Sequence, residues 1–178
     1  MFEQIFSNEG VVFQGGGHTF VFPCRSGSVS ASEYIGAPHI KLITYAHDEI
    51  LNAASLVVGI RKPSERYDSC SKYCQKTNKN NDAGFFSFYF SRYCTPYMED
   101  LLDKNIQIIL TDDMTAFFGE DYESVQGEVL TPASRNKHKD FSPPGLTKQD
   151  GDYNTLVATK PKFSVTEFKT IFPNRYVI

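Results

Sequence analysis

Residues 39–60 read HIKLITYAHDEILNAASLVVGI, and the period assigned to this stretch decides the fold. Leu42, Ala46, Ile50, Leu51, Ala54 and Val58 recur at spacings of three and four, which predicts an amphipathic helix over residues 44–58. Gly59 then stands where a helix stops, and Pro63 lies just beyond it. In this reading the helix lays one face on a sheet and turns Asp48, Glu49 and Asn52 to water.

On the amino side, VVFQ and HTFVF are extended in character, and the density of Val, Phe and Thr between Gly17 and Pro23 predicts a buried strand ending near Cys24 and Arg25. The glycines between them precede a strand rather than a helix, so they read as a tight turn and not as a phosphate loop. On the carboxyl side, residues 61–83 (RKPSERYDSCSKYCQKTNKNNDA) are polar and read as a connection or a lid. GFFSFYFSRY follows as a strand, with Phe86, Phe88 and Phe90 on one face and Phe85, Ser87, Tyr89 and Ser91 on the other. TPYMEDLLDKN predicts a short helix, IQIILT a buried strand, DDMTAFFGEDYE a loop or short helix, and SVQGEVLTP a further strand. Residues 133–154 form a long polar connection around Pro143-Pro144-Gly145, and segments around YNTLVAT and FSVTEFKTIF close the chain.

With no internal repeat and no sharp shift in composition, the expectation is one domain over 1–178. The expected class is α+β: a split, mostly antiparallel sheet, one main amphipathic helix and several short ones. Composition agrees with a sheet-rich chain, being 40% hydrophobic with 15 Phe, 10 Tyr and no Trp. A net charge of −3 excludes a broad electrostatic footprint for a nucleic-acid backbone. No apolar run approaches a membrane span, and MFEQIFSNEG lacks the basic and apolar regions of a signal peptide. The expectation is a cytoplasmic protein, or one delivered into a target cell as an effector, with no membrane partner.

Cys70 and Cys74 form a C-x3-C pair with Cys94 downstream, but zinc sites favour C-x2-C and a second close pair. These read as ordinary thiols, or as a disulfide if the protein is exported, and no metal is assigned. His18, standing alone, reads as structural, and His47 as a residue of the helix surface, because no second histidine stands at i+4 from it. A serine, a histidine and an acid are all present, but no nucleophile elbow accompanies them.

The remaining chemistry gathers in SVQGEVLTP. Gln126 and Glu128 sit two apart, so on a strand both project from one face. Three separated features then follow in order: Arg25 after FVFPC, Ser87 and Tyr89 within GFFSFYFS, and Gln126-x-Glu128 before Val129-Leu130 and Pro132. This order resembles the Arg–Ser–Glu arrangement of mono-ADP-ribosyltransferases, the superfamily of bacterial toxins, although Phe88 and Tyr89 replace the Thr-Ser that follows the serine in the family.

The resemblance implies a central cleft for NAD and transfer of ADP-ribose to a protein or nucleic-acid acceptor, with a cognate antitoxin or immunity protein as a further expected partner. It gives Arg25 the NAD diphosphate, Ser87 the ribose pocket and Tyr89 the nicotinamide ring. Glu128 would stabilise the oxocarbenium-like ribose, and Gln126 would meet an amide or nucleobase acceptor rather than arginine. The loop 115–123, with Phe117, Phe118 and Tyr122, would recognise the acceptor. The alternative is a non-enzymatic binding module, such as an immunity or inhibitor protein whose acidic balance covers a basic partner.

Overall fold

The computed structural model describes residues 9–23, 25–37, 40–41, 50, 52–77, 97–119 and 145–176. Among the described residues the strands are β1 (Glu9–Gly15), β2 (His18–Phe22), β3 (Ile40–Lys41), β4 (Leu56–Ile60) and β5 (Ile106–Leu110), in the spatial order β3-β1-β2-β4-β5. The helices are α1 (Ser28–Ile35), α2 (Pro63–Thr77), α3 (Met98–Leu102), α4 (Met114–Phe118), α5 (Leu146–Thr159) and α6 (Val165–Ile171). β1 runs antiparallel to β2 and to β3, whereas β2, β4 and β5 are parallel neighbours.

The expected α+β fold with a split, mostly antiparallel sheet is therefore corrected to a mixed α/β fold with an open sheet, antiparallel across β3-β1-β2 and parallel across β2-β4-β5. The physical reason lies in LVVGI. All five residues of β4 are buried, as the central strand of a parallel sheet covered on both faces must be. Such a run lacks period-2 alternation, and its Leu and Val complete a helical pattern begun upstream. The predicted helix over 44–58 is thus overturned at Leu56–Val58, which are strand; residues 42–49 and 51 of that stretch lie outside the described residues. Gly59 is not a helix stop but a packing position, because a Cβ there would collide with the ring of Phe22.

Two further polar stretches are helical. Residues 61–83, read as a connection, contain α2 over Pro63–Thr77. Proline at the first helical position and Glu65 in the first turn favour that start. The buried positions Arg66, Ser69 and Cys70 follow the helical i, i+3, i+4 spacing. Residues 146–154 of the expected polar connection belong to α5, which buries Leu156. The strands HTFVF and IQIIL and the short helix at Met98 agree with expectation.

The sheet separates two cores. On one face Phe13, Phe20, Phe22 and Val57 pack with Ala31 and Tyr34 of α1, Met114, Phe117 and Phe118 of α4, and Phe168 of α6. On the other, Val21, Val58, Ile60 and Ile108 meet Met98 and Leu101 of α3 and Leu156 of α5. Each fully buried large side chain contributes about 1.5–3 kcal/mol. Phe117 and Phe118, each 2% exposed, belong to this core, so the expected acceptor loop is corrected: these rings hold α4 on the sheet. Tyr122 lies outside the described residues. The β1–β2 hairpin closes through Gly16 and Gly17 at φ 59 and 83, the left-handed pair a two-residue turn requires.

Among the described residues no helix is long and apolar enough to cross a membrane.

Candidate functional site

The chain leaves β2 and β4 in opposite directions. From β2 it passes through α1, on the Phe20 face, and reaches β3 beyond β1; from β4 it enters α2 and α3, on the Leu101 face, and reaches β5. Adjacent parallel strands whose connections diverge open a crevice at their carboxyl ends, which is where open α/β sheets bind ligands.

The walls of this crevice are rich in cations. After Phe22 the chain makes a turn in which the Ser26 amide donates to the Pro23 carbonyl at 3.0 Å. Arg25 sits in that turn at φ 58, the single positive-φ residue other than glycine among the described residues. Left-handed backbone at a branched or long side chain costs about 1 kcal/mol, and two contacts hold it here. Arg61, just after β4, donates from Nη1 to the Arg25 carbonyl at 3.2 Å. The Arg25 Nε donates to Ser69 Oγ on α2 at 2.9 Å. The two diverging loops are thereby tied across the crevice by arginines.

Gly27, at φ 91, then turns the chain into α1, and no side chain caps that helix. Its first-turn amides are the ordinary donors for an anion, and they begin at Ser28, three residues after Arg25.

On the other wall Lys62 and Arg66 follow Arg61, and Arg66 is only 5% exposed. Arg61 Nε is buried without a hydrogen-bond partner among the described residues. A buried donor left unmade costs about 1–3 kcal/mol, so this N–H favours the arrival of an acceptor. Between the walls lies a cavity of about 20 Å3, space for about one water. Ser26, Arg61 and Arg66 line it together with Tyr97 and Met98 at the start of α3 and Gln149 of α5. Asp150 of α5 caps α2 by accepting from the Ser64 amide at 3.0 Å, which fixes that wall.

Around Tyr153 of α5 the sign of the charge reverses. Burial pushes the Tyr153 phenol up to about 12, and the carboxylates of Asp112, Glu65 and Asp113 add to the shift. An anion is repelled there. Among the described residues no group of three His, Cys, Asp or Glu side chains is arranged to hold a metal.

Of the residues expected from sequence, Arg25 is at this crevice, on the turn after β2 rather than in the strand. Ser87, Tyr89, Gln126 and Glu128 lie outside the described residues, as do His47 and Cys94. Sequence reasoning missed Arg61, Arg66 and Ser69, because they fall in the stretch taken as a loop. The available signal was Lys62-Pro63-Ser64-Glu65, a helix start directly after an apolar run.

No protein-family model, no curated protein and no solved structure matches this chain.

Proposed function

We propose that the protein binds a nucleotide by its phosphate in the crevice between β2 and β4. The observation that carries this reading is the pair of arginine ties, Arg61 to the Arg25 carbonyl and Arg25 to Ser69, across the point where the two connections diverge. Arginine offers a planar fork of donors that matches phosphate oxygens, and a charge-assisted bond is about twice as strong as a neutral one. In this reading the phosphate lies against Arg25, Arg61 and the first turn of α1, and the body of the nucleotide lies along the rim near Tyr97.

NAD is the nucleotide that the sequence resemblance adds. Arg25 then takes its diphosphate, Glu128 stabilises the ribosyl cation, and Gln126 directs ADP-ribose to an amide or nucleobase acceptor. Support for these later steps comes from SVQGEVLTP alone.

Isothermal titration with ADP-ribose and with NAD tests the binding step, and thin-layer or mass analysis of nicotinamide release tests the chemistry. Arg61→Gln should weaken ADP-ribose binding by about 30-fold, the equivalent of one charge-assisted bond of about 2 kcal/mol. Equal affinity for wild type and Arg61→Gln removes the crevice from the account. Saturable binding without nicotinamide release, in wild type and Glu128→Ala alike, selects a non-enzymatic module over a transferase.

A further inference from the structure

The opposite end of the strands carries a second constellation. His18 opens β2, Ser55 stands immediately before β4, and Glu167 lies in the first turn of α6. The His18 Nδ1 is 2.7 Å from Ser55 Oγ, and its Nε2 is 2.8 Å from Glu167 Oε2. The carboxylate only accepts, so it fixes the proton on Nε2 and leaves Nδ1 as an acceptor in the neutral ring. With Nδ1 as acceptor, the 2.7 Å contact is a hydrogen bond donated by the Ser55 hydroxyl. This is the order nucleophile, base, orienting acid, with the two imidazole nitrogens exchanged relative to the chymotrypsin arrangement.

The scaffold around it is rigid. Alternation along β2 puts His18 on the same face as Phe20, and alternation along β4 puts Ser55 with Val57, so both project toward α6. The Thr19 amide donates to the Ser55 carbonyl at 2.8 Å. Phe163 and Phe20 meet the imidazole edge to face, with centroids at 5.1 and 5.9 Å. The Glu167 amide donates to the Ser164 hydroxyl, which anchors the carboxylate's own turn. Solvent reaches the line from one side: the side chains of His18 and Glu167 are 18% and 47% exposed. Beside His18, Gly17 leaves open space, since a Cβ there would meet nothing within 4 Å.

We propose that Ser55 and His18, positioned by Glu167, form an acyl-transfer site for small carboxylic esters. Ser55 Oγ attacks the ester carbonyl while its proton passes to His18 Nδ1. The tetrahedral intermediate collapses, the carbon–oxygen bond to the alcohol breaks, and the same proton leaves with the alcohol. Water, deprotonated by His18, then attacks the acyl-serine; the carboxylic acid departs and Ser55 regains its proton. The site is independent of the arginine crevice, which lies about 17 Å away along a five-residue strand.

The test is labelling of the full-length chain with a fluorophosphonate probe, with peptide mass mapping, beside turnover of p-nitrophenyl acetate. The expected result is an adduct on Ser55 and hydrolysis that falls by about 10²-fold or more in His18→Gln and is lost in Ser55→Ala. Glu167→Gln, an exposed change that spares the fold, should lower kcat by about 10²-fold at constant KM, and Glu167→Asp should restore part of it. Folded wild-type protein that takes no label on Ser55 overturns the proposal without any substitution. So does Ser55→Ala hydrolysing the ester at the wild-type rate, which would leave the three residues a strand-to-helix clasp.

Discussion

At the scale of single residues, the carboxyl rim of the sheet is organised by charge rather than by apolar burial. Arg25 accepts a left-handed backbone because its carbonyl and its guanidinium are both used, one by Arg61 and the other to reach Ser69. Tyr153 marks the acidic side of the same rim, its phenol held up at about 12 against an ordinary 10.0 by burial and by Asp112, Glu65 and Asp113. The folded chain therefore keeps this proton more tightly than the unfolded chain. The contribution is complete below pH 10 and is lost as the pH rises from 10 toward about 12. Urea midpoints at pH 9 and pH 11 should show wild type losing more stability than Tyr153→Phe across that window. Parallel losses in the two proteins would mean that neither burial nor the carboxylates hold the Tyr153 proton.

At the scale of elements, legibility in the sequence followed the kind of burial. HTFVF and IQIIL were readable because dense β-branched and aromatic residues stood between turn signals. LVVGI was not, because a strand buried on both sides has no alternation to distinguish it from the end of a helix. α2 was invisible for a different reason: the face it buries includes Arg66 and Ser69, so hydropathy carries no helical period there. The same polar face that hid the helix builds the crevice. Arg25 could be singled out because it closes a strand, but its meeting with Arg61 depends on β2 and β4 becoming neighbours, which local patterns do not encode.

α5 was likewise hidden, by Gly151 and a run of polar residues. A Cβ at Gly151 would meet nothing within 4 Å, and its helix position is exposed. Gly151→Ala should therefore raise stability by about 0.5–1 kcal/mol, read from urea unfolding, by lowering the entropy of the unfolded chain. A loss of stability would contradict the helical assignment of residues 146–159.

At the scale of the whole molecule, the fold places two chemistries at opposite ends of the same parallel strands. The carboxyl ends of β2 and β4 hold arginines, a small cavity and the uncapped start of α1. The amino ends hold the Ser55–His18–Glu167 line. The crevice exists because the chain winds first over one face and then over the other, a property of topology that no short motif announces. Nucleotide binding in the crevice is measured most directly by titrating the isotope-labelled chain with ADP-ribose and following its backbone amide resonances. Binding by the phosphate should give saturable shifts concentrated in residues 25–30 and 61–66, absent on titration with ribose alone. Shifts that fail to saturate, or that concentrate away from the carboxyl ends of β2 and β4, would contradict it.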